Sequence, residues 1–221
     1  MTPLLILATF VCNESPVAAT PRLRAGDRIA ATAVVLARDG NSLYLLTAEH
    51  ALDNSAGEWA FDFFADDKAV KPRFTLRGAQ VLLRKPIADF ALLRVEVEPE
   101  RTVAALPLAP PGSISKKFPF DATSVGCSLG DAPTTEKESL LGKRLAVRRE
   151  DDVAFFWQAE KAQTAGRSGG PLLNPDGQVI GICAATALGK GYYVHSSEIH
   201  AGLKTAGYDW LWKGDRTKPK R

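Results

Sequence analysis

Residues 29–46 read IAATAVVLARDGNSLYLL, and this stretch decides the fold class. Two short apolar segments flank Asp39-Gly40-Asn41, a turn signal that favours a hairpin over a helix. The pattern repeats along the chain. Strand candidates follow at 59–64, 73–76, 79–83, 90–97, 124–127, 144–148, 153–158, 179–184 and 192–195, each broken by turn residues. Many short strands without long amphipathic helices predict an all-β sandwich or barrel. One helix is expected at 197–206, capped by Ser196 or Ser197. Pro107–Lys117 (PLAPPGSISKK) is rich in Pro, Ser and Gly and is expected to link two β-rich halves.

Composition narrows the function. The chain has 221 residues, 45% of them hydrophobic and 24% charged, which excludes a disordered or collagen-like polymer. The net charge of +3 is gathered largely in the C-terminal stretch, so nucleic acid is not expected as a partner. No apolar run reaches the ~18 residues of a membrane-spanning helix. Leu4–Cys12 (LLILATFVC), with Val17 and Ala19 after it, has the look of a secretory signal over residues 1–19, although no basic residue precedes it. The expectation is therefore an exported protein, periplasmic or secreted. Three cysteines are too few for a disulfide scaffold, and Cys127 and Cys183 are expected as two buried thiols. Any histidine chemistry must use His50, His195 or His200, because the chain has only three.

The chemistry concentrates in three places. Gly166-Arg167-Ser168-Gly169-Gly170-Pro171 surrounds a serine with residues that let a backbone approach a ligand. A serine hydroxyl needs a base to become a nucleophile, and the base needs a group that fixes its tautomer. His50 follows the apolar strand in LLTAEHA, and Asp89 heads another in IADFALL. The G-x-S-x-G string also fits the nucleophile elbow of α/β-hydrolases. That fold needs the order serine, acid, histidine and more chain after the serine than follows here.

Taken together, LLTAEHAL, ADFALLRV and GRSGGPLLNPDGQVIGI resemble the histidine, aspartate and serine motifs of trypsin-like serine proteases, in the chymotrypsin-type order. The resemblance runs from about residue 26 to 203 and is nearest to HtrA-type and related bacterial peptidases. It implies two packed six-stranded antiparallel β-barrels and a short C-terminal helix. The implied division is a leader over 1–19, a first barrel over 20–108, a linker over 109–118, a second barrel over 119–207 and a basic tail over 208–221. No PDZ-like domain is expected after the body, and no metal or cofactor is implied.

The resemblance assigns Ser168 as nucleophile, His50 as base and Asp89 as its orienting acid. The oxyanion hole would come from the backbone of Gly166, Arg167 and Ser168. Arg167 stands where trypsin carries an aspartate that pairs with a newly cut amino terminus, so that activation switch is not expected. Ala162 and Gln163 would form the base of the primary pocket. Ala184, Ala185 and Thr186 would form its facing wall, and Gly191 and Tyr193 the closing strand. A neutral pocket of this kind implies a small or medium apolar residue before the cut, not Lys or Arg. Glu49 is expected to face solvent, His195 to end a strand and His200 to lie on the helix surface. The alternative is a protease-fold binding module with a latent oxyanion loop.

Overall fold

The computed structural model describes residues 15–26, 28–52, 59–114, 117–149 and 152–213. It holds thirteen strands: β1 (Arg22–Ala25), β2 (Arg28–Asp39), β3 (Ser42–Thr47), β4 (Trp59–Phe63), β5 (Phe74–Arg77), β6 (Gln80–Lys85), β7 (Phe90–Glu96), β8 (Phe120–Gly126), β9 (Thr134–Arg149), β10 (Asp152–Ala159), β11 (Pro171–Leu173), β12 (Val179–Ala187) and β13 (Lys190–His195). Two helices follow, α1 (Ser196–Thr205) and α2 (Trp210–Lys213). The all-β expectation holds, and the hairpin at 39–42 forms as read, with Asp39 opposite Ser42 and Gly40 at φ 58°.

The second half is a closed six-stranded barrel in the order β10-β13-β12-β11-β8-β9. The first half differs from the expected six-stranded barrel. Its sheet has seven strands in the order β5-β4-β1-β2-β3-β7-β6. The additional strand is β1, where Arg22 and Arg24 flank a buried Leu23. Both arginines are held because each pairs with the buried Asp62 carboxylate of β4, at 2.9 and 2.7 Å. β11 is also new, too short to show a period in the sequence.

β2 is the strand that positions the site. Its first part pairs with β1 up to Thr32, and its second part pairs with β3 from Ala33. At that corner Thr32 is free to bond outside its own sheet. A shared apolar core then joins the halves, with Val34, Leu46, Phe90 and Leu92 packing among Val125, Phe156, Ile182 and Val194.

Three boundaries shift. Val17 and Ala19, which the sequence reading places at the end of a leader, are fully buried in the core, and Thr20 Oγ1 donates to the Pro16 carbonyl at 2.8 Å. The first fourteen residues of the leader expectation lie outside the described residues. The 109–118 linker begins inside the barrel: Ala109 is buried and its N–H donates to Val179 O at 3.0 Å. The tail begins later than 208, since Trp210 and Leu211 are buried and Trp210 meets Tyr44 edge-on at 5.0 Å. Residues 214–221 lie outside the described residues.

Helix α1 starts one residue earlier than expected, and its cap is neither serine. His195 Nδ1 accepts the Ser197 N–H at 2.9 Å, filling the role a serine hydroxyl usually has.

Candidate active site at the junction of the two halves

His50 lies in a short 3-10 turn, Glu49–Leu52, directly after β3. Asp89 precedes β7, the neighbour of β3, so strand pairing brings the two together. The His50 ring Nδ1–H donates to Asp89 Oδ2 at 2.8 Å and lies 3.0 Å from Oδ1. The His50 backbone N–H donates to Oδ1 as well, at 3.0 Å. Asp89 is 2% exposed and held at φ 60°. A left-handed aspartate is strained, and strain of this kind persists where the surroundings fix a functional geometry. With Nδ1 protonated toward the carboxylate, Nε2 is left as the basic nitrogen on a ring that is about half exposed.

Ser168 comes from the second half and is docked onto the first by its backbone. Its carbonyl accepts the Thr32 N–H at 2.8 Å. Thr32 Oγ1 donates to the Gly166 carbonyl at 2.8 Å and accepts the Cys127 N–H at 3.0 Å. Gly169 (φ 83°) sits so close to the strand carrying the histidine that a Cβ there would lie 2.2 Å from Thr32 O and 2.7 Å from Ala48 N. Only glycine permits that approach. Ala48 is two residues before His50, so the serine loop and the histidine turn share one wall. The Ser168 hydroxyl makes no hydrogen bond among the described residues. Such contacts often tighten only when substrate is bound.

The loop before the serine is oriented from two sides. The Ala165 carbonyl accepts the Leu129 N–H at 2.7 Å. In a trans peptide the N–H is antiparallel to the C=O, so the Gly166 N–H points away from Leu129. Arg167 N–H turns back to Thr164 O at 3.3 Å and is therefore occupied. The Arg167 N–H, expected beside those of Gly166 and Ser168 at the oxyanion, is thus committed within its own loop.

Arg167 has another task. Its side chain is 1% exposed and runs into the second barrel. Nη1 donates to Glu136 Oε1 at 3.0 Å and Nη2 to Ser124 Oγ at 2.8 Å, with the Gly126 carbonyl at 3.3 Å from Nη1. Gly126 makes room for the stem, because a Cβ there would lie 3.0 Å from Arg167 Cβ.

The sequence pattern of the trypsin-like peptidase domain matches residues 31–182. The chain belongs to the trypsin-like peptidase family. Among its relatives is a "probable periplasmic serine endoprotease DegP-like" of Chlamydia muridarum, 26% identical over 180 residues, which covers 79% of this chain and 32% of that protein. The chain spans about a third of the length of the curated relatives it matches. Many solved structures share the fold, and two of them illustrate the likeness. One is the Ser343Ala mutant of Rv3671c from M. tuberculosis H37Rv in its inactive form, with a TM-score of 0.67, 19% identity and coverage of 93% of this chain and 91% of that one. The other is the HtrA-type protease AlgW with a decapeptide, with a TM-score of 0.67, 17% identity and coverage of 87% and 65%.

Within this trypsin-like domain, the remaining sequence expectations divide. Gln163, Thr186, Gly191 and Tyr193 converge: Gln163 N–H donates to Thr186 Oγ1 at 2.9 Å, and β13 carries Gly191 and Tyr193 behind them. Ala162 is exposed beside Gln163, while Ala184 is buried and Ala185 half-buried on β12. A buried carboxylate that the sequence reading did not include joins these residues. Glu138 of β9 bonds both Gln163 Nε2, at 3.0 Å, and the Tyr193 hydroxyl, at 2.9 Å. Glu138 lies in the charged stretch TTEKESLL of β9, where Glu138 and Leu140 turn into the barrel while Thr134 and Glu136 stay exposed. Thr32 was missed too, although a lone threonine inside an apolar strand was a visible signal.

Other titratable groups are structural. Glu49 is buried against Arg84 at 3.0 Å, not solvent-facing. His200 is buried, with Nε2 donating to Ala109 O at 2.9 Å, because the helix packs its histidine over the strap entering the second barrel. Cys127 and Cys183 are free and buried. Burial pushes their thiols up to about 11 and about 12, so neither supplies a thiolate nucleophile near neutral pH. Among the described residues no helix is long and apolar enough to cross a membrane, and no cluster of metal-ligating side chains occurs.

Proposed function

We propose that the protein is a serine endopeptidase that uses Ser168, His50 and Asp89 as its triad. The observation that carries this is the two-point grip of Asp89 on His50, which leaves Nε2 as a base beside a serine loop docked on the same wall. Ser168 Oγ adds to the scissile carbonyl carbon while its proton passes to His50 Nε2. The resulting oxyanion receives the Gly166 and Ser168 N–H groups, each worth about 2.7–4 kcal/mol in comparable sites. The tetrahedral adduct collapses, the amine leaves with the proton from His50, and an acyl-enzyme remains. Water then adds with His50 again as base, which frees the acid and restores Ser168.

Protein or peptide chains are the substrate class. An extended substrate would lie along Ala184–Thr186 as an added strand. The alanines and glycine expected to line the primary pocket suit a small or medium apolar side chain before the cut. Export is proposed as well, in keeping with the periplasmic relatives and the apolar run Leu4–Cys12. A leader cut after Ala19 would strip Val17 and Ala19 from the core, so any such cut falls earlier.

The unbonded Ser168 hydroxyl favours one other reading, a binding module with a latent oxyanion loop. A fluorophosphonate probe separates the two. Labelling of the wild type that is abolished by Ser168→Ala and strongly reduced by His50→Ala supports the peptidase. A wild type that stays unlabelled with peptide present supports the binding module.

A further inference from the structure

Arg22 of β1 makes a bond beyond the ion pair that anchors it. Its Nε and Nη2 donate to Asp62 Oδ2 at 3.1 and 2.9 Å, and the third nitrogen, Nη1, donates to the Gly130 carbonyl at 2.8 Å. Asp62 is the cross-strand partner of Arg22 on β4 and is fully enclosed, so the anchor is fixed. The guanidinium also lies 5.3 Å from the centre of the Phe64 ring. A planar fork held on one side by a carboxylate aims its remaining nitrogen in one direction. Here that direction leads from the first half of the molecule into the second.

Gly130 closes the short turn Ser128–Gly130, and that turn is gripped at both ends from one sheet. Thr32, the cross-strand partner of Arg22 on β2, accepts the Cys127 N–H at 3.0 Å just before the turn. Arg22 holds the carbonyl at its other end. Between the two grips Leu129 sits at φ 52°, a conformation unfavourable for a leucine. Its side chain is 75% exposed, so side-chain packing does not hold the turn. Strained backbone persists where its surroundings over-determine it, and the two grips supply that constraint.

The turn faces the loop that carries the serine. The Leu129 N–H donates to Ala165 O at 2.7 Å, which sets the plane of the 165–166 peptide and with it the direction of the Gly166 N–H. The fit is close: a Cβ on Gly166 would lie 2.3 Å from Cys127 O, 3.1 Å from Gly130 N and 3.2 Å from Leu129 N. A turn released at its Gly130 end can relax its strained leucine, and the Ala165 carbonyl and the Gly166 N–H then move with it.

We infer that Arg22 is a positioning residue for the Gly166 N–H at the oxyanion, acting from Asp62 through the Gly130 carbonyl and the Leu129 turn. The inference rests on the peptidase reading above. Its test compares Arg22→Met with Arg24→Met in the full chain. Arg24 pairs with the same carboxylate, through Nε at 2.7 Å and Nη2 at 2.9 Å, so its variant reports what weakening the ion pair does by itself. The substrate is the best of a set of fluorogenic peptides varied before the cut. Arg22→Met should lower kcat about tenfold or more with KM within about threefold of wild type, because a displaced donor weakens the transition state and not ground-state binding. A peptide aldehyde, whose adduct with Ser168 carries the oxyanion, should lose affinity by the factor by which kcat/KM falls. Arg24→Met should keep kcat within about threefold of wild type. An unchanged kcat in Arg22→Met overturns the inference, and so does an equal fall in both variants or a loss carried by KM. If Arg22→Met does not fold, Arg22→Lys decides. It keeps a cation beside Asp62 without the fork that reaches Gly130, so its kcat should fall several-fold, and an unchanged kcat overturns the inference. In each of these outcomes a wild type that labels with the fluorophosphonate probe keeps the peptidase reading. A wild type that neither labels nor cleaves overturns both readings.

Discussion

Replacing Thr32 with valine removes one oxygen and keeps the shape, so it isolates what the hydroxyl does. Thr32 is fully buried, and its Oγ1 serves two groups across the junction, the Gly166 carbonyl at 2.8 Å and the Cys127 N–H at 3.0 Å. In Thr32→Val both backbone groups lose their partner while they remain enclosed. Each orphaned group costs about 1–3 kcal/mol, so the variant should lose roughly 2–6 kcal/mol. Thr32→Ser keeps the hydroxyl and loses one methyl, at about 1 kcal/mol. Urea unfolding measures both, as a lower midpoint at unchanged slope. The Gly166 carbonyl belongs to the peptide that orients Arg167 and the serine, so fluorophosphonate labelling should slow at least tenfold in Thr32→Val and little in Thr32→Ser. A Thr32→Val loss below about 0.5 kcal/mol would refute the energetic argument. Full loss of stability with wild-type labelling would refute the claim that this bond orients the loop.

Four further outcomes are expected. Asp89→Asn can still accept the His50 backbone N–H, but its amide favours the wrong ring tautomer, and kcat should fall about 10⁴-fold at neutral pH with the fold retained. Arg167→Met strands Ser124 and Gly126 O inside the second barrel and removes the partner of Glu136, and chemical denaturation should register a loss of about 3–5 kcal/mol. The His195 pKa is pushed down to about 4, first by burial and then by Lys143 and His200. The unfolded chain takes that proton near pH 6.5 and the folded one only near 4, so this contribution is complete above 6.5 and lost as pH falls to 4. His195→Gln should flatten the stability profile in that window. For Asp62, burial raises the pKa but hydrogen bonds from Arg24, Thr75 and Arg22 outweigh it and bring it to about 2. Its contribution is complete above pH 3.8 and fades toward 2, so Asp62→Asn should remove that part of the acid limb in equilibrium unfolding at graded pH.

Sequence periodicity fixes what depends on neighbours along the chain. Short apolar segments bounded by turn residues mark eleven of the thirteen strands among the described residues, because strands buried on one or both faces must carry apolar side chains wherever they are long enough to show it. β1 and β11 are too short for that signal, and β1 is held by Asp62, which is distant in the chain. The His50, Asp89 and Ser168 motifs were legible because glycine and strand-end requirements are local. What the sequence left open depends on which groups meet across the barrels. Thr32 becomes a clasp only where β2 changes partners. Arg167 becomes a buried strut only inside the second barrel. Glu138 looks solvated in a charged strand and becomes a buried acceptor for Ser124, Gln163 and Tyr193 only when barrel closure turns it inward. Charge and hydrogen-bond partners act through space, so their roles are decided by tertiary structure, whereas strand and turn preferences are already written in the order of the residues.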